Sequence, residues 1–305
     1  MLTVAEQVDD WHTQPSQPVP SLAEAQQYCR QLARSHHENF PLVSFLLPKR
    51  LQQHFFNVYA YCRWADDLGD EIGDSQRALE LLAWWREELQ ACYAGQCRHP
   101  VFVALEPTVR QFDIPLQPFD DLISAFEQDQ SVCEYHSYAQ LLDYCTRSAN
   151  PVGRIVLHLC ERFDEQNAEW SDSICSGLQL ANFWQDVARD LDIGRIYLPA
   201  EDRDRFGVTR DDLLAKRTTD QFVELMEFEV GRARELLIAG LPLVARLPGR
   251  LQVDIELFAR GGLRILDRVQ SIGYRVLEQR PVVTKLDAFR LLVPCVGRAF
   301  LRKLV

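Results

Sequence analysis

Apolar residues recur at helical spacing along almost the whole chain. Phe55, Val58, Tyr59 and Cys62 share one helical face, as do Leu82, Trp85 and Leu89, and later Phe222, Leu225 and Met226. Strand-like alternation bounded by Asn-Gly or Asp-Gly turns is missing. Breaks fall at Pro48, Gly73, Pro100, Pro115, Asn150-Pro151, Pro199, Pro248 and Pro281, which divides the chain into roughly ten helices. Asn150-Pro151 reads as a helix start, with Asn as N-cap and Pro at the first helical position. No repeat of about 34 or 40 residues points to a solenoid. The pattern predicts an all-α fold, a single-domain helical bundle over residues 21–305. A loose arm is expected over residues 1–20, where Pro15, Pro18 and Pro20 stand among polar residues and Ser21 caps the first helix.

Composition narrows the function more than the fold. A chain of 305 residues with 47% hydrophobic content can bury a sizeable core. Its net charge of -11, with Lys and Arg scattered, argues against nucleic acid as a partner. An acidic protein that handles a small anion must place metal ions or local arginines between the two. Nine well-spread cysteines read as free thiols in a reducing compartment, and Cys92 and Cys97 lack the second pair that zinc needs. The N-terminus has no basic and apolar export pattern, and no apolar run reaches the length of a spanning helix. A cytoplasmic protein, peripheral to a membrane at most, is expected.

Two stretches carry chemistry. In Tyr59 to Glu71, the residues Tyr59, Arg63, Asp66 and Asp70 fall in one narrow helical arc. Stacked carboxylates at i and i+4 repel unless a cation lies between them, although a solvated acidic helix end would look similar. In Gln179 to Asp190, Gln179, Asn182, Asp186 and Asp190 again share a face, with Leu180, Phe183, Trp184 and Val187 on the others. Two such helices are hard to read as solvated ends. Oxygen-only donors suit a hard cation such as Mg²⁺ shared with substrate phosphates, and the pair of stripes predicts a diphosphate-abstraction site.

Asp66-Asp67-Leu68-Gly69-Asp70-Glu71, together with Asn182 to Asp190 and Gly194-Arg195-Ile196-Tyr197-Leu198-Pro199, resembles the squalene/phytoene synthase family of head-to-head prenyl synthases. The resemblance runs from about Ala33 to about Leu292 and implies the isoprenoid synthase fold with a central cavity. It implies Asp66, Asp67, Asp70, Asp186 and Asp190 as metal ligands, with Asn182 assisting, and Tyr59, Arg63 and Gln179 as substrate or diphosphate contacts. Tyr144, Arg195 and Tyr197 are further substrate contacts on this reading. The departures His36-His37-Glu38-Asn39-Phe40-Pro41, Tyr144 to Arg154 with Asn150 in it, and Arg260-Gly261-Gly262-Leu263 resemble the hydroxysqualene synthase branch of hopanoid biosynthesis. In that branch presqualene diphosphate loses diphosphate with Mg²⁺ and no NADPH, and water captures the cation. Phe40, Tyr59 and Phe183 would stabilise the cation by their π faces. Asn39 and Asn150 are the candidates for placing water.

Other readings stay open. Another head-to-head synthase would condense two farnesyl diphosphates to presqualene diphosphate or squalene with the same aspartates, and a non-catalytic assembly factor would be expected to have lost them. His36 or His37 would steer water or a proton, whereas His54, His99, His136 and His158 read as structural or exposed. Gly261-Gly262 allows close packing or enlarges the pocket. The basic, acid-free stretch from Phe289 to Val305 suits either a membrane surface, with channelling to other hopanoid-pathway enzymes, or a packed terminal helix.

Overall fold

The computed structural model describes residues 3–12, 18–35, 48–284, 287, 291–292 and 294–295. His36, His37, Asn39, Phe40 and nearly all of the basic stretch from Phe289 lie outside the described residues. Contacts gather the chain into two compact units, Met1–Ser131 with Arg154–Phe163, and Val132–Gly153 with Asp164–Val305. Each is all-helical among the described residues, apart from one isolated bridge between Glu134 and Ile196.

The first unit contains α1 (Val4–His12), α2 (Leu22–Ser35), α3 (Lys49–Asp70), α4 (Ser75–Tyr93), α5 (Pro100–Gln111) and α6 (Gln117–Asp129). Predicted stops become helix ends: Pro48 caps α3, Pro100 opens α5, and Asp74 accepts from the Arg77 N–H at the start of α4. Ser21 and Glu24 bond reciprocally at the start of α2, as the sequence suggests. The arm expected over residues 1–20 is not loose throughout, because Val4 and Val8, one turn apart on α1, are both buried. Trp11 on the same helix sets its ring 5.0 Å from His99.

Around α3 the core is aromatic. Trp64 stacks on Trp85 at 5.2 Å, and the Tyr61 hydroxyl donates to the Phe119 carbonyl at 2.9 Å. His99 is sealed within 4.4 Å of Trp64, and burial pushes its pKa well down, so it stays neutral while Nδ1 accepts the Val101 N–H. Each of these rings contributes on the order of 2–3 kcal/mol by leaving water. This face of α3 is thereby fixed, which fixes the direction of the opposite one.

The second unit holds α7 (Tyr138–Ser148), α8 (Asn150–Leu159, of which Asn150 to Gly153 belong here), α9 (Glu165–Asp192), α10 (Ala200–Phe206), α11 (Arg210–Leu214), α12 (Asp220–Gly240), α13 (Leu243–Arg246) and α14 (Arg250–Ser271). Helices outnumber the expected ten because α10, α11 and α13 are short, and no apolar period of that length marks them in the sequence. The 28-residue α9 is the axis, packed on α12, α14 and α7. A Cβ on Gly262 would come 2.7 Å from Leu178 and 3.1 Å from Leu237, so Gly262 serves close packing, while the same position on Gly261 meets nothing. No described helix is long and apolar enough to cross a membrane.

Candidate active site

On α3 the residues Tyr61, Trp64 and Leu68 face the core. By helical geometry Tyr59, Arg63, Asp66 and Asp70 fall on the opposite arc, within about 60° of one another. Arg63 ties this stripe together: Nη1 lies 3.2 Å from Asp66 Oδ2 and Nη2 2.9 Å from Glu71 Oε1, with Asp67 also paired to it. Asp67 sits off the stripe and is buried against that guanidinium. Burial, reinforced by Asp70 one turn on, raises the Asp66 carboxyl to about 6 despite Arg63. Burial likewise raises Asp67 to about 7. Carboxyls that stay high beside an arginine mark a place short of positive charge. The turn bearing Asp70 is held by Gln130, whose Nε2 donates to the Gly69 carbonyl at 2.9 Å.

On α9 the residues Gln179, Asn182, Asp186 and Asp190 share an arc of about 80°, while Leu180, Trp184 and Val187 are buried on other sides. Burial, then the neighbouring Asp186, raises Asp190 to about 7, with Arg195 opposing. Asp186 is held by Arg280 through both carboxylate oxygens, at 2.5 and 2.9 Å. Beside it the Gln185 amide donates to the Pro281 carbonyl at 2.6 Å, so the segment 280–281 is fastened to this turn.

The chain then reverses at Gly194, whose φ of +79° a side chain would strain. The Arg195 N–H reaches back to the Asp190 carbonyl at 2.8 Å, and the Ile196 N–H donates to the Cys133 carbonyl at 2.7 Å. That pairing sets Tyr197 against Phe183, rings stacked 3.7 Å apart at 9°, with Tyr135 stacked at 5.8 Å on Tyr197. Tyr144 completes the group, 5.5 Å from Tyr135 and 6.4 Å from Phe183. A small cleft lies here, lined by Phe183, Val187, Asp190, Arg195, Tyr197 and Leu213 among others.

Asn150 opens α8 as expected, yet makes no cap bond among the described residues. Its Oδ1 instead accepts the Ser176 hydroxyl of α9 at 2.8 Å, and the side chain is buried. The sequence pattern marked the helix start correctly, but could not show a partner 26 residues away.

The carboxylate and amide donors on the two stripes are all oxygens, and burial, reinforced by like charge, has pushed several carboxyls up. That fits a hard divalent cation such as Mg²⁺. Among the described residues no three acidic, His or Cys side chains gather closely enough to hold a metal by themselves, so the remaining ligands would come from substrate oxygens and water. Three residues here escaped the sequence reading. Arg280 lies far from any acidic motif, Tyr135 sits in a loop without period, and Ser176 falls on the Phe183–Val187 face of α9, where it looks like an ordinary helix serine.

Comparison with known proteins agrees with this architecture. The family described as squalene/phytoene synthase matches residues 33–287. A solved structure titled squalene synthase HpnC from Alicyclobacillus acidocaldarius is 42% identical, with a TM-score of 0.80 over 83% of this chain and 95% of that one. A dehydrosqualene synthase solved with a ligand is 26% identical, with a TM-score of 0.82 over 91% of this chain and 97% of that one. A phytoene synthase of Arthrospira platensis is 31% identical over 86% of this chain and 89% of its own length.

Proposed function

The chain belongs to the squalene/phytoene synthase family, whose members act on prenyl diphosphates, and within it we propose that this protein converts presqualene diphosphate and water to hydroxysqualene and diphosphate. Asn150 is the observation that carries this reading. It is a buried, uncharged amide whose nitrogen has no hydrogen-bond partner among the described residues, in the unit that also bears the α9 stripe and the Phe183–Tyr197 stack. Such a group holds water without quenching a carbocation as a free base would. The 42% identity to a protein named squalene synthase, against 31% to a phytoene synthase, supports a squalene-type product.

In this reading Asp66 and Asp70 on α3, and Asn182, Asp186 and Asp190 on α9, would each hold Mg²⁺, which would supply positive charge where the diphosphate departs. Asp67 is given to holding Arg63. The planar forks of Arg63 and Arg280 match phosphate oxygens two at a time, and Arg195 adds charge beside Asp190. The stacked rings of Phe183 and Tyr197 offer π faces to the cation, each worth roughly 0.5–2 kcal/mol. Water held at Asn150 forms the new C–O bond, and its surplus proton passes to the released diphosphate.

Offering farnesyl diphosphate and presqualene diphosphate separately, each with and without NADPH, tests the proposal. Turnover of presqualene diphosphate to an alcohol without NADPH is expected. The similarity to a squalene synthase favours a second reading, squalene formation from farnesyl diphosphate, and squalene appearing only with NADPH would establish that one instead.

A further inference from the structure

The Asn150 side chain is placed by a close helix crossing. A Cβ on Gly153, one turn along α8, would lie 2.6 Å from the Cys175 sulfur and collide with the Ser171 hydroxyl, so only glycine lets α8 approach α9 this nearly. The approach brings Asn150 to Ser176, the neighbour of Cys175, and the Ser176 hydroxyl donates to Oδ1 at 2.8 Å. An amide whose oxygen is taken by a donor cannot flip without losing that bond, so its nitrogen is fixed on the other side. Both residues are about 6% exposed, and no described residue accepts a hydrogen bond from the Asn150 amide nitrogen. Two residues back, at the end of α7, the Ser148 hydroxyl is also buried and has no partner. The α7–α8 junction thus offers two polar groups to a water, the Asn150 amide nitrogen and the buried Ser148 hydroxyl. An ordered water with two or more polar partners is the usual resolution.

We infer that Ser176 is a positioning residue that locks the Asn150 amide with its N–H donors turned to a bound water at the α7–α8 junction, and so sets how much of the carbocation is captured as alcohol. The inference rests on the hydroxysqualene reading. Ser176 falls on the Phe183–Val187 face of α9 rather than on the carboxylate stripe, about 15 Å along the axis from Asp186. Its loss therefore acts on product choice and not on departure of diphosphate.

The test uses the full chain with presqualene diphosphate and Mg²⁺, following diphosphate release and the ratio of alcohol to hydrocarbon. For Ser176→Ala, release is expected to stay within about twofold of the parent while the alcohol ratio falls by about tenfold, the factor expected for one lost hydrogen bond. Ser176→Thr restores a hydroxyl and should restore the ratio. Asn150→Asp keeps the acceptor for Ser176 but loses the N–H donors, and should lose alcohol as Ser176→Ala does. An unchanged alcohol ratio in folded Ser176→Ala would overturn the inference, as would failure of Thr to rescue. If the parent makes no alcohol at all, it is the hydroxysqualene reading that fails.

Discussion

Arg280 grips both carboxylate oxygens of Asp186, with Nε 2.5 Å from Oδ1 and Nη2 2.9 Å from Oδ2. Before substrate arrives, the guanidinium occupies the place a metal would take on this carboxylate. Loading a cation there has to displace it, and once displaced it is free to meet phosphate oxygens. Arg280→Gln should therefore strengthen Mg²⁺ binding to the substrate-free protein while lowering turnover. Thermal shift against Mg²⁺ concentration, with a turnover assay alongside, reads both. Unchanged Mg²⁺ affinity would mean that arginine and metal do not compete.

Arg63 holds Asp66, Asp67 and Glu71 at once. Lysine keeps the charge but loses the planar fork, and the buried Asp67 would lose its guanidinium partner. Arg63→Lys is expected to cut turnover by about ten- to a hundredfold and to lower the melting temperature. Near-parental values on both counts would reduce Arg63 to a surface cation.

Removing a raised carboxyl should help folding while harming function. Asp66 stands near 6 and Asp190 near 7 against a usual value of 3.8. The folded chain then holds these protons to higher pH than the unfolded chain, so each group's stabilising contribution is full below about 4 and is lost as pH rises through its folded value. Without metal, Asp66→Asn and Asp190→Asn should melt at or above the parent at pH 8, with little difference at pH 4, and both should lose most activity. A melting temperature clearly below the parent at pH 8 would contradict the destabilisation of these carboxylates by burial and neighbouring charge.

On the side of α9 opposite its stripe, Glu229 is fully buried beside Asp202 and Arg232, and burial raises it to about 8. Its Trp184 neighbour bonds to the Glu229 carbonyl at 3.1 Å. The unfolded chain ionises this group near 4.5, so its contribution drains away between about 4.5 and 8. Glu229→Gln should flatten the decline in melting temperature across that interval. Parallel curves for the two proteins would show that Glu229 is already ionised in the fold.

How much of this was legible beforehand follows from range. The all-helical class, the capped start at Ser21 and the stripes on α3 and α9 are local patterns, fixed by residues three or four apart, and the sequence carried them directly. Val4 and Val8 were passed over because two apolar residues among prolines and polar groups make a weak period, decided by packing. Arg280 on Asp186 and Ser176 on Asn150 join positions 94 and 26 residues apart, and no local spacing encodes them. Asp67 illustrates the remaining difficulty: a motif places it with its neighbours, but about 80° of helical rotation turns it from the stripe to a buried partner.

The most direct test of the proposed reaction is the origin of the product oxygen. Presqualene diphosphate, Mg²⁺ and purified protein are incubated in ¹⁸O-labelled water with no nicotinamide, and the product is analysed by mass spectrometry. Water capture at Asn150 predicts hydroxysqualene carrying a single labelled oxygen. An alcohol without label would contradict capture by water, and squalene formed only when NADPH is supplied would contradict the hydroxysqualene assignment itself.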